Sequence, residues 1–267
     1  MSKELHPYLI HFNSSRICRF LIIGTFPPNK EERQNKTTFI NYFYGNTGSL
    51  WSILNETNLF PKNSFKDFES IRAWEKKYSI GVTDVLKSCD RKDGKRKSSD
   101  DTDLVITKDD LNTSLKDYLT THINDIKLLN FTSSSTAAGS NSAFYWLIQL
   151  MGGAFVAKHK AKLVTNLPSP SGRYLTSKAI FSNDVSLNGL NKNFLQFLKE
   201  NQFTDAINIA KQTFAAKQVK VKHAIAQGKK TSSVKQVRFL DADQDYPSLY
   251  RIEQYKKAFM PVKENSQ

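Results

Sequence analysis

Four short apolar runs recur along the chain, at residues 17–25, 80–86, 126–131 and 161–166, and the stretches between them carry helical periodicity. Each run is rich in Leu or β-branched residues, which suits strands covered on both faces of a parallel sheet. Between them, TGSLWSILNETNLF puts Leu50, Ile53 and Leu54 on one stripe with Trp51 beside it. KDDLNTSLKDYLTTHI spaces Leu111, Leu115, Tyr118 and Leu119 as a helix does, and SNSAFYWLIQLM continues with Phe144, Leu147 and Ile148. Strand and helix in alternation predict an α/β fold: a three-layer α/β/α sandwich around a central, mainly parallel four-stranded sheet. Ligands of such sheets sit beyond the carboxyl ends of the strands. Three of the four ends here carry unusual sequence: GTFPP, KSCDRKDG and LPSPSG.

The first of these ends is the tightest. Phe20 to Ile23 read as buried strand, Gly24 permits close backbone approach, and Pro27 and Pro28 remove two N–H donors and fix φ. So rigid a turn at the end of a buried strand raises the question of what is held there, and GTFPP gains its weight only from the stretches that follow it.

Charge narrows the partner. Lys and Arg number 39 against 25 Asp and Glu, a formal net charge of +14. Each phosphate neutralised by Lys or Arg releases condensed counterions, so this excess favours a nucleic acid. Cys18 and Cys89 alone make no disulfide framework. No apolar run is long enough to cross a bilayer, and MSKELHPYLI lacks the apolar core of a signal peptide. The expectation is a cytoplasmic protein with no membrane partner. His6, His11, His122, His159 and His223 show no metal-ligand spacing, so no metal is expected. Past residue 200 the chain turns Lys- and Gln-rich, then regains helical periodicity with Tyr246 just before a Pro247 helix start. The expected division is a catalytic domain over 1–200 and a basic extension with a terminal helix over 201–267.

Four stretches stand in order: GTFPP, YFYGNTGSLWSIL, GVTDVLKSCDRKDGKRKSSDDTDL and NLPSPSG. Together they resemble the uracil-DNA glycosylase superfamily, most of all its hypoxanthine-DNA glycosylase branch. That branch pairs a Gly-Ser/Thr-Phe-Pro turn with a Tyr-Tyr-Gly-Asn/His stretch before a Phe-Trp helix start. It also carries an Asp-Val-Leu-x-Ser-Cys strand end and a Leu-Pro-Ser loop. The resemblance covers roughly residues 15–200. It implies a monomeric, monofunctional DNA glycosylase without a cofactor, which flips a deaminated or modified base out of DNA and hydrolyses its N-glycosidic bond, leaving an abasic site.

The resemblance also implies roles. Asn46, in the Tyr-Gly-Asn stretch, would act on the attacking water, and Asp84 would stabilise the cationic sugar or orient that water. Gly24, Thr25, Phe26, Pro27, Tyr44, Gly45, Ser88, Cys89 and Asn130 would form the base pocket, with Phe26 as its flat wall. Arg91, Lys95, Arg96 and Lys97 would contact the DNA backbone, as would Pro168, Ser169, Pro170 and Ser171, with Arg173, Tyr174 or Leu175 as the wedge that fills the gap in the stack. Lysines of the extension, Lys217, Lys220, Lys222, Lys229 and Lys230, would add grip. Each assignment has a structural alternative: Phe26 as core, Asn46 as a helix cap, Asp84 as a turn cap, Cys89 as a small buried residue. Phe26 and Leu167 stand where most of the superfamily carries an acidic or Asn residue and a His, and the helix start after Asn46 is one residue short. Two alternatives therefore stay open: a glycosylase acting on bulky modified phage bases, and an inactive DNA-binding relative.

Overall fold

The computed structural model describes residues 3–28, 40–45, 50–95, 101–137, 140–164, 167–168, 170, 180, 190–228 and 245–264. Its centre is β2 (Phe20–Gly24), buried at every position. Strand β3 (Ile80–Asp84) pairs with one edge of β2 and β6 (Leu128–Phe131) with the other; β7 (Leu163–Val164) lies outside β6. All three pairings are parallel, in the order β3-β2-β6-β7, so the four expected strands form one sheet. The sheet and its flanking helices make the α/β/α sandwich that the alternation predicts.

Pleating sends successive side chains to opposite faces. Leu21, Ile23, Leu129 and Phe131 join Leu115 and Leu119 of α3 (Thr113–His122) and Ala143, Phe144 and Leu147 of α4 (Ala143–Met151) in one apolar cluster. The helices α1 (Leu50–Glu56) and α2 (Phe68–Lys77) bring a second aromatic layer, in which Trp51 meets Trp74 edge-on at 6.0 Å. Each such side chain contributes about 1.5–3 kcal/mol when fully buried. Local chemistry sets the helix starts. Asp67 caps α2 by accepting from Ser70 N, and Ser142 caps α4 by accepting from Tyr145 N. Asn112 caps α3 with its side-chain oxygen and donates its Nδ2 to the Asp84 carbonyl at 2.9 Å, tying the helix to the end of β3.

A second, small antiparallel sheet does not follow from the sequence pattern. Its order is β1 (Glu4–Leu5), β4 (Ser88–Arg91), β5 (Leu104–Val105). Strand β4, Ser-Cys-Asp-Arg, lies in the segment read as a charged loop; it is too short and too polar to announce itself. Pairing of Glu4 with Cys89 and Leu5 with Ser88 brings the N-terminal residues back to the strand ends.

The chain divides into two compact units, Met1–Pro170 with Gln254–Gln267, and Ser171–Glu253. The sequence division near residue 200 thus falls inside the second unit, and the last part of the terminal helix α8 (Tyr246–Glu264) counts with the first. Tyr255, Phe259 and Val262 explain this, for all three are fully buried and the two rings stack at 6.2 Å. The second unit has its own apolar cluster, with Leu190, Phe194 and Leu198 around α6 (Lys192–Glu200), and Ala206 from the long helix α7 (Thr204–Ala226). Among the described residues no helix is long and apolar enough to cross a membrane.

Asp110 ties the N-terminus to the small sheet. Lys3 Nζ sits 2.8 Å from Oδ1, Ser88 Oγ donates to Oδ1 at 2.5 Å, and the Thr107 N–H and hydroxyl donate to Oδ2 at 2.8 and 2.7 Å. Burial alone would raise this carboxyl, but the donors outweigh it and hold it at about 2, below the ordinary 3.8. A depressed folded-state value stabilises the fold above the unfolded-state value, and the gain is lost as pH falls towards 2. Lys3 is 39% exposed, so solvent screens the pair. Asp110→Asn should cost on the order of 1 kcal/mol at pH 7, and the difference from wild type should close between pH 4 and 2 in denaturant titrations.

Candidate functional site

The carboxyl ends of the central strands form a row. Gly24 ends β2 opposite Asp84, which ends β3, and Thr132 follows directly on β6, whose Phe131 pairs with Ile23. The turn at 40–45 lays Tyr44 over this row. Gly45 makes the turn possible, since a Cβ there would stand 1.7 Å from the Ile40 carbonyl oxygen. Tyr44 itself adopts a left-handed φ of 54°, unusual for a bulky side chain. Its hydroxyl shares a hydrogen bond with Thr132 Oγ1 at 3.1 Å. Burial pushes that hydroxyl well above its ordinary pKa, and the negative charge of Asp84 pushes it the same way. Gly24 accepts this approach only because it lacks a side chain: a Cβ there would stand 1.9 Å from Tyr44 Oη and 2.3 Å from Asp84 Oδ1.

Asp84 is 4% exposed, and its two oxygens differ. Oδ2 lies 2.7 Å from His6 Nε2, whereas Oδ1 is buried with no hydrogen-bond partner among the described residues. His6 is fully buried at its side chain. The Tyr8 backbone N–H donates to His6 Nδ1 at 3.1 Å, so that nitrogen carries no proton and the ring proton sits on Nε2, donated to Asp84. Phe26 meets the His6 ring edge-on at 5.1 Å, and Phe43 meets it tilted at 5.3 Å. The pair is thus held in an apolar, water-poor box.

The expected site residues fall into three groups. Gly24, Tyr44, Gly45, Asp84 and Phe26 come together, although Phe26 is buried in the core cluster and its ring faces His6. Thr25 adjoins them and shares a hydrogen bond with Ser133 at 3.1 Å. Asn130 lies one pleat behind the row on the face of Gly24 and Asp84; it is fully buried, and neither amide atom has a partner among the described residues. The second group serves the framework. Ser88 is bound to Asp110, and Cys89 is fully buried with its thiol pushed up to about 12 by burial. Arg91 is 5% exposed, pairs with Glu4 at 3.0 Å and donates to the buried Pro27 carbonyl at 3.0 Å. That guanidinium, expected at the DNA backbone, instead clamps β4 to β1 and to the proline turn. The Pro168 carbonyl accepts from Tyr255 Oη at 2.7 Å; Pro170 is half-buried and Lys95 exposed. The third group, Asn46, Arg96, Lys97, Ser169, Ser171, Arg173, Tyr174 and Leu175, lies outside the described residues.

His6 and Thr132 are the residues that sequence reasoning missed. His6 is 78 positions from Asp84 and shows no ligand spacing; only the pairing of β1 with β4 brings it there. Among the described residues, no three His, Cys, Asp or Glu side chains gather as a metal site requires. Comparison with protein-family models, curated proteins and solved structures finds no match to this chain.

Gly24→Ala forces a methyl group against Tyr44 and Asp84. The expected cost is about 1–3 kcal/mol of stability, read as a lowered denaturant midpoint. Gly81→Ala, whose Cβ would first meet the side chains of Leu21, Cys18 and Phe12, is the comparison for crowding at the other end of the sheet, on β3.

Proposed function

We propose that the chain is a DNA glycosylase that hydrolyses the N-glycosidic bond of a deaminated or modified base flipped out of DNA, leaving an abasic site. The four ordered motifs supply the class. The observation that carries the reading is Asp84: a buried carboxylate at a strand end, one oxygen held and the other, beside Gly24, without a partner among the described residues.

The chemistry needs such a group. As the bond from C1′ to the base lengthens, its electron pair leaves with the base and the sugar becomes cationic. A fixed carboxylate in a low-dielectric site stabilises that charge more than water could. Water oxygen then bonds to C1′, one of its protons is released, and the departed base takes up a proton. Asn46, by the resemblance, supplies an acceptor for that water; Asn130 offers an amide to read a base edge. Because Asp84 is almost fully covered, a nucleotide enters only as the Tyr44 ring moves off Gly24. A cytoplasmic protein acting as a monomer on DNA is part of the same reading, supported by the +14 charge and the two free thiols.

Duplexes carrying hypoxanthine, uracil, xanthine or a hydroxymethylated base, incubated with the protein and then with alkali, test the reading. Strand scission at one of these bases is expected, and Asp84→Asn should slow it by about 10²-fold or more with DNA affinity retained. Scission confined to the hydroxymethylated duplex would mark an enzyme of modified phage DNA. Binding to every duplex without scission would make the chain a DNA-binding relative and end the enzymatic reading.

The charge argument has its own test. Lys211, Lys220 and Lys222 stand exposed on α7. Replacing all three by Gln should reduce the slope of log affinity against log salt by about 1 for each lysine that meets a phosphate.

A further inference from the structure

We infer that His6 is the positioning residue of this site, holding the Asp84 carboxylate in one orientation so that Oδ1 is presented towards the reacting sugar or its water. The inference rests on the glycosylase reading and adds to it a residue that none of the four motifs contains. Three observations lead to it. His6 Nδ1 is occupied by the Tyr8 backbone N–H, so its single proton is directed from Nε2 to Asp84 Oδ2. The ring cannot swing away, because Phe26, Phe43 and Tyr8 surround it at 5.1, 5.3 and 6.1 Å between ring centres. Finally, Oδ1 is left buried and without a partner among the described residues, though a buried carboxylate oxygen ordinarily finds a donor. A structural aspartate would use both oxygens, as Asp110 does. Asp84 uses one for its orientation and keeps the other unspent.

The division resembles an orienting pair in which a neutral imidazole holds a carboxylate, with the carboxylate as the reacting group and the ring as its support. Such support matters because a misplacement of the order of 1 Å at the reacting group can cost about 10²-fold in rate.

Single-turnover cleavage, DNA affinity and melting temperature are measured for wild type and three variants. His6→Gln places an amide nitrogen near the Nε2 position and should keep the rate within about fivefold of wild type. His6→Phe keeps the ring without a donor, and His6→Asn carries a donor too short to reach Oδ2. Both should lose about 10- to 100-fold in rate with affinity for the duplex unchanged. The inference is overturned if His6→Phe and His6→Asn cleave like wild type, or if His6→Gln falls as far as they do. Long-range 1H–15N spectra of the protein without DNA read the pair independently of cleavage. They should show Nε2 protonated and Nδ1 bare, with the Nε2 resonance moved by Asp84→Asn; a proton on Nδ1, or an Nε2 indifferent to Asp84→Asn, also overturns the inference. Wild-type protein that cleaves none of the duplexes sinks the glycosylase reading instead, and the spectra then decide the pairing.

Discussion

The missing side chain at Gly24 is the constraint on which the site depends. Three strands end side by side, and the middle one ends in the only residue type that lets a tyrosine hydroxyl and a carboxylate oxygen meet over its Cα. Every neighbour is arranged around that gap. Gly45 lets the 40–45 turn close so that Tyr44 reaches inward, and Thr132 holds the hydroxyl in place. Asn112, capping α3, fixes the backbone of Asp84 from beneath. The strand β2 is buried on both faces, but it is this absence of a methyl group that turns its end into a chemically distinct place.

The second dependence is electrostatic and runs through the first few residues. Lys3 pairs with Asp110, Glu4 with Arg91, and His6 with Asp84, three contacts from one short segment to β3, β4 and the turn before α3. Period-two alternation makes this possible only in part, since β1 is two residues long; the register of Glu4 on Cys89 decides where His6 falls. A slip of one residue would put Leu5 where Glu4 now meets Arg91 and withdraw the imidazole from Asp84. The two ion pairs and the His6 hydrogen bond therefore matter less for their net energy, which desolvation largely offsets, than for selecting a single register.

The central sheet was legible because buried parallel strands must be continuous apolar runs, and FLIIG, IGVTD and LLNF are short enough and apolar enough to stand out. Helices α1, α3 and α4 were legible for the same reason, through stripes such as Leu115, Tyr118 and Leu119. What escaped notice has few buried apolar positions to signal it. Strand β4 has a single apolar position, Cys89, among three polar residues, and β1 is set by pairing rather than by composition. Asp84 and Tyr44 could be singled out because they stand in stretches that carry the resemblance, at a strand end and in a turn, while His6 could not, since its meaning comes from a partner 78 residues away. Arg91 misled for a related reason: a charge run in sequence says nothing about which member is turned inward to meet Glu4.

Burying polar atoms without partners costs about 1–3 kcal/mol each, and a fold optimised for stability alone would remove them. Among the described residues the sheet keeps Asp84 Oδ1 and both amide atoms of Asn130 in this condition on one face, one pleat apart along strands either side of β2, and Thr83 Oγ1 on the other face. Leucine at 130 would match its cross-strand neighbours Ile22 and Val164 in polarity and would leave no amide there unsatisfied. Strain adds to the same place, since Tyr44 holds a left-handed backbone directly above. Costs of these kinds gather where a structure is shaped for something other than its own stability. Here the strand-end strain and the Asp84 oxygen lie at the carboxyl end of a parallel sheet, the end at which sheets of this connectivity ordinarily take their ligands.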